Sequence, residues 1–159
     1  MTARRAWMLT AAVIAALSLL TGNSAGAGRP FSTSLTGAAE VPGPGDPDGS
    51  GTIALRLNQG QATVCWEADA ANIDVPTIAH IHIGDATVAG PIVLTLWGMP
   101  PNADPTTTPP GVAEFPASAC VENVSRELIK AIRQSPDEYY VNIHNALFPG
   151  GAIRGQLSK

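Results

Sequence analysis

Short runs of alternating apolar and polar side chains, cut apart by glycine and proline, fill most of this chain. Residues 31–36, 52–57, 61–67, 77–83, 92–97, 139–144 and 152–157 alternate or carry β-branched and aromatic residues, the pattern of half-buried strands. Asn58-Gln59-Gly60 is a tight connection between the second and third runs and predicts a hairpin. The connections leave no room for the crossover helices that parallel strands need. The expected class is therefore all-β, an antiparallel sandwich or barrel of roughly seven to nine strands. One helix is predicted over 126–134. Asn123 or Ser125 can cap it, Leu128, Ile129 and Ile132 form its apolar stripe, and Pro136 forbids its continuation. Its expected place is over an open end or edge of the sheet.

Two of these runs hold every histidine of the chain. Ile78-Ala79-His80-Ile81-His82-Ile83-Gly84 carries His80 and His82, and Tyr139-Tyr140-Val141-Asn142-Ile143-His144-Asn145 carries His144. Alternation places His80 with His82, and Asn142 with His144, on one face of their strands. The opposite face is apolar, with Ala79, Ile81 and Ile83 in one strand and Tyr139, Val141 and Ile143 in the other. Pairing the two strands side by side gathers both polar sets and leaves a continuous apolar face for the core. Two histidines at i, i+2 lie roughly 6.6 Å apart along a strand. Their imidazoles can converge on one ion, and a third from the neighbouring strand completes a three-nitrogen set suited to copper or zinc with a fourth position open. The plainer alternative is a polar layer in which His80, His82, Asn142 and His144 satisfy one another and fix strand register. Both readings stand open at this point.

The last run extends the polar theme. Arg154 and Gln156 share a face opposite Ile153 and Leu157, and Arg154 can orient a histidine or pair with a carboxylate such as Glu40, Glu67 or Glu138. Gly150-Gly151 predicts a tight entry into that strand, and Gly155 within it a bulge or a close backbone approach.

The N-terminus reads as a processing signal. Arg4 and Arg5 precede an apolar run of 13 residues, 8–20, and Ala25-Gly26-Ala27 is a small-residue cleavage site. The run is short of the ~20 residues that span a bilayer. Residues 1–27 are thus expected to be a signal peptide, with cleavage near Ala27 leaving 28–159 as one secreted, extracytoplasmic domain. The arginine pair is compatible with either the general or the twin-arginine route. Cleavage would leave 7 basic against 13 acidic residues, a net charge of −6, a poor match for nucleic acid or anionic lipid.

Two cysteines in an exported chain predict one disulfide, Cys65 to Cys120, with Trp66 available to pack on it. No CxxC or flanking base suggests a redox role for them. In the loop 42–51, Asp46 and Asp48 resemble the opening of a calcium loop. Counted from Asp46, however, position 12 is Leu57, where a bidentate Glu is required. Residues 98–111, with five prolines and Thr106 to Thr108, predict a stiff exposed loop. No hydroxyl sits in an elbow-like turn that would make it a nucleophile.

Taken together, four segments resemble the chordin-type (CHRD) domain. They are Leu35-Thr36-Gly37-Ala38-Ala39-Glu40-Val41-Pro42; Ala79-His80-Ile81-His82-Ile83-Gly84 with Gly90-Pro91-Ile92-Val93; Tyr139-Tyr140-Val141-Asn142-Ile143-His144; and Pro149-Gly150-Gly151-Ala152-Ile153-Arg154-Gly155-Gln156-Leu157. The resemblance runs from about Phe31 to the C-terminus. Ala152 departs from it, since an acidic residue often stands there, and the 98–111 insert is longer and richer in proline. The resemblance implies an immunoglobulin-like Greek-key sandwich or barrel, distantly similar to copper-zinc superoxide dismutases. In animals such domains sit in a secreted growth-factor antagonist; in microbes they are exported proteins without an agreed activity. The His-x-His pair is similar to a metal-binding strand of those dismutases. They use more histidines, one of them bridging, so a two-metal site cannot be assembled from the three here.

Export, the disulfide, an acidic surface and the lack of a recognisable catalytic set point to a secreted, non-enzymatic β-sandwich domain without a required cofactor. It would act by binding an extracellular protein or cell-envelope component. The competing expectation is an exported copper- or zinc-binding protein, with redox chemistry open to it, centred on His80, His82 and His144.

Overall fold

Eight strands form one antiparallel sheet in the computed structural model, which describes residues 30–98 and 115–158. They are β1 (Phe31–Thr36), β2 (Ser50–Asn58), β3 (Thr63–Ala71), β4 (Pro76–Ile83), β5 (Ile92–Gly98), β6 (Ser118–Val121), β7 (Tyr139–Asn145) and β8 (Ile153–Gln156). Their order across the sheet is β5-β4-β7-β8-β1-β2-β3-β6. The sheet curls until its edge strands β5 and β6 approach one another. The expected sandwich or barrel is thus a nearly closed barrel made from one continuous sheet. Aromatic residues bind its seam. Trp66 on β3 donates its indole N–H to the Leu96 carbonyl on β5 at 3.3 Å, and Phe115 lies against both Trp66 and Trp97 at centroid distances of 5.2 and 5.1 Å.

Alternation explains what fills the interior. Leu35, Ile53, Leu55, Val64, Trp66, Ala79, Ile81, Tyr139, Val141, Ile143 and Ile153 all point inward and are buried. Gly155 on β8 shows the expected close approach, since a Cβ there would overlap the Ser34 carbonyl of β1. Ile83 is an exception to the apolar face read from sequence. It is the last residue of β4 and is 38% exposed.

The helix α1 (Arg126–Gln134) falls where expected, and its N-cap is Ser125, whose Oγ accepts from the Leu128 N–H at 3.2 Å. Ile129 and Ile132 are fully buried in the core. The Arg126 side chain donates to the Gly60 carbonyl and the Val124 N–H to the Ala62 carbonyl, so the helix covers the barrel end beside the β2–β3 hairpin. That hairpin turns through residues 59–62, because Asn58 pairs with Thr63. Its third strand accordingly starts later than the alternation suggests and runs on to Ala71.

Strand β6 escapes the alternation pattern because it is only four residues long and half exposed. Its register on β3 places Cys65 opposite Cys120, and the two are joined by a disulfide with Cα atoms 3.9 Å apart. Trp66 does not pack on this bridge. As the next residue of the strand it turns to the opposite face, into the core, where it is 2% exposed. Of the proline-rich 98–111 segment, only Gly98, the last residue of β5, lies among the described residues, and the expected 1–27 signal peptide lies outside them.

No described helix is long and apolar enough to cross a membrane. Replacing both cysteines by serine is expected to lower the unfolding free energy by up to about 4 kcal/mol, the loop-closure entropy for a loop of this length. Ser125→Ala should cost about 1 kcal/mol for the lost cap. Denaturant midpoints unchanged from the parent would refute either expectation.

Candidate metal centre

The two histidine strands are neighbours, as their polar pattern predicts. In the β4–β7 register His80 lies opposite Asn142, His82 opposite Tyr140 and Ile78 opposite His144. The β7–β8 register continues the row, with Asn142 opposite Arg154 and Tyr140 opposite Gln156. Apart from Ile78, one outward face of these three adjacent strands therefore carries polar groups. It is nonetheless buried: His80, His82, Asn142, His144 and Arg154 are between 1% and 8% exposed. The connections after β4 and β7 fold back over this face, and their backbone carbonyls supply much of its bonding.

Each ring has a defined role for at least one nitrogen. His82 Nδ1 lies 2.8 Å from the Gly90 carbonyl oxygen, and His144 Nδ1 lies 2.9 Å from that of Pro149. A carbonyl only accepts, so both rings carry their proton on Nδ1 and present a bare Nε2 lone pair. His144 Nε2 in turn lies 3.2 Å from His80 Nδ1, which donates to it, and 3.1 Å from Asn142 Oδ1; a ring protonated on Nδ1 has no hydrogen to give that oxygen, so the Asn142 amide is turned to bring its NH2 to this lone pair. One ligand nitrogen from each of the three histidines falls within 4.8 Å of the others. In the 3.2 Å His80–His144 contact His80 Nδ1 donates to the His144 lone pair, which leaves His80 Nε2 bare. The Nε2 atoms of His80 and His82 are buried with no hydrogen-bond partner.

Around the histidines lies a charged and aromatic surround. Tyr140 stacks on His82 at 4.7 Å with the rings 9° from parallel, and the Arg154 guanidinium sits 3.4 Å over the Tyr140 ring. Arg154 donates to the Asp85 carbonyl at 2.7 Å, and the Gln156 amide donates to the carbonyls of Gly84, Asp137 and Tyr139. Among the carboxylates proposed for Arg154, Glu40 feels its charge, which acts to lower the pKa of that carboxyl. Glu40 is buried at 6% exposure and faces Gly151, where the backbone takes φ of 137° and a Cβ would overlap the carboxylate. The glycine that allows the tight entry into β8 also makes room for Glu40.

Mutual satisfaction, which a purely structural layer requires, is incomplete here. Besides the two imidazole nitrogens, Glu40 Oε1, Asn145 Nδ2, Arg154 Nη1 and Gln156 Oε1 are buried without partners. Sequence reasoning gave no role to Tyr140 or Asn145. Tyr140 was within its reach, since it shares parity with Asn142 and His144 on β7. The carbonyls of Gly90 and Pro149 come from loops and leave no trace in alternation.

Burial sets the protonation of the layer. Burial first, and then the neighbouring His144 and His82, lower His80 to about 4. Burial also lowers His82 and His144, against the raising effect of the Gly90 and Pro149 carbonyls. All three imidazoles are thus neutral at pH 7, the form that binds metal. Burial pushes the Glu40 carboxyl up to about 7, against the opposing charge of Arg154 and the Asn142 amide.

These shifts have opposite signs in stability. A histidine depressed on folding contributes stability that is present above its unfolded value of 6.5 and is lost as pH falls toward about 4. Glu40, raised on folding, contributes stability that is present below 4.5 and is lost as pH rises through about 7. In metal-free protein the stability of the parent relative to Glu40→Gln should therefore fall between pH 4.5 and 7. The variant itself should still weaken in acid, where the histidines charge. A difference between the two proteins that is flat with pH would contradict this assignment.

The family model for the CHRD domain matches residues 31–157, all eight strands and the three histidines included. No curated protein and no solved structure is significantly similar to the chain. The match agrees with the order of the four segments in the sequence and with the architecture they build. The chain belongs to the CHRD domain family.

Proposed function

We propose that this CHRD domain is an exported protein that binds a single transition-metal ion, copper or zinc, through His80, His82 and His144. The observation that carries the reading is the pair of partnerless, buried Nε2 atoms on His80 and His82, in a cluster whose donors lie within 4.8 Å of one another. A buried polar atom without a partner costs about 1–3 kcal/mol, and an ion at this point would satisfy those two lone pairs, with His144 as the third histidine of the cluster.

The supporting shell is of the kind that metal-binding histidines use. The Gly90 and Pro149 carbonyls hold the Nδ1 protons and so fix both tautomer and ring orientation. Tyr140 fixes the His82 ring plane by stacking. Export is supported by the composition of residues 1–27 and is compatible with the Cys65–Cys120 disulfide. The site gives no support to a two-metal dismutase centre, which needs more histidines than the chain has.

The reading is tested by elemental analysis of protein prepared without a polyhistidine tag. About one equivalent of copper or zinc per chain is expected, falling to background in His82→Ala and in His144→Ala. A folded parent that retains no transition metal after exposure to stoichiometric copper and zinc would overturn it. That result would favour a secreted domain acting only by binding a macromolecular partner, with its histidines as a structural layer.

A further inference from the structure

Resting on the three-histidine reading, we infer that the site selects monovalent copper, Cu(I), over Zn(II) and Cu(II). Charge and enclosure carry the argument. Among the described residues the cluster able to close on one ion contains three histidines and no carboxylate or thiolate. Its donors are neutral, and the Nδ1 hydrogens of His82 and His144 go to the Gly90 and Pro149 carbonyls rather than to carboxylates. No ligand therefore brings a negative charge to a buried cation.

A fixed positive charge is built into the layer beside His82. Arg154 is 1% exposed, permanently protonated, and stacked over Tyr140, whose ring packs on His82. Glu40, buried in the same layer, is not one of the cluster's donors, and its charge is set against that of Arg154. The desolvation cost of an ion rises with the square of its charge, so a divalent ion meets a penalty about four times that of a monovalent one.

Coordination number points the same way. His80 Nε2 and His82 Nε2 are closed off from solvent. Zn(II) in a three-histidine site takes a water or anion as its fourth ligand, whereas Cu(I) is satisfied by three donors. Imidazole serves copper and zinc alike, so here the discrimination falls to charge and enclosure.

The test is a pair of competition titrations on the full-length protein after signal removal. One uses Cu(I) under ascorbate and argon with a chromophoric Cu(I) chelator; the other uses Zn(II) with a chromophoric zinc chelator. Protein voltammetry then reads the Cu(II)/Cu(I) couple. Bound Cu(I) should resist displacement by a hundredfold excess of Zn(II). Cu(I) should bind at least a hundredfold tighter than Cu(II), which raises the potential of bound copper above that of unbound copper by about 120 mV. Arg154→Met should narrow that gap by tenfold or more. If the variant fails to fold, the selectivity of the parent decides alone. Stoichiometric Zn(II) or Cu(II) binding as tight as that of Cu(I) would overturn this inference and leave the three-histidine reading intact. Failure to bind any of the three ions would overturn that reading itself.

Discussion

Strand alternation sends every second side chain of β4, β7 and β8 away from the barrel core, and in this chain most of those side chains, Ile78 apart, carry polar groups. The outward face must then be solvated or roofed, and here it is roofed. Covering histidines, an asparagine and an arginine requires polar partners from the cover itself, because each buried group left alone costs stability. The loops after β4 and β7 meet that demand with backbone carbonyls, from Gly84, Asp85 and Gly90 on one side and Pro149 on the other. Much of the local structure follows from this constraint. It accounts for the glycines where loop backbone meets strand, for Glu40 tucked beside Gly151, and for the stacking of Arg154 on Tyr140.

The same constraint explains why the site is preformed. Neutral imidazoles are favoured by burial, and their orientation is set by carbonyls that only accept. A domain whose outer layer were merely structural would bring a hydrogen donor to each of those last lone pairs. The arrangement instead leaves His80 Nε2 and His82 Nε2 without a partner, in a cluster that brings one nitrogen of each histidine within 4.8 Å of the others. Such an arrangement persists because the barrel beneath, closed at its seam by Trp66, Phe115 and Trp97, holds strand register independently of the polar layer.

Much of this was legible in the amino-acid order. Period-two alternation located seven of the eight strands, and an apolar stripe between Ser125 and Pro136 located the helix, because these signals come from burial on one face. The short β6 carries too few residues for a period, and it is held by its bridge and its pairing with β3 rather than by an apolar face. The adjacency of the histidine strands followed from the need to gather polar residues together. The roof was not legible. Which carbonyl meets Nδ1, and that Glu40 rather than Glu67 or Glu138 enters the layer, depends on loop paths that alternation does not describe. The closure of one sheet into a barrel likewise arises from long-range aromatic contacts across the seam.

That three imidazoles from two adjacent strands share one ion is most directly tested by X-ray absorption at the metal edge of the loaded protein. The account expects a first shell of nitrogen at ~2.0–2.1 Å and outer-shell scattering from three imidazole rings, reduced to two in His144→Ala. A shell dominated by oxygen, or one with fewer than three imidazoles in the parent protein, would contradict it.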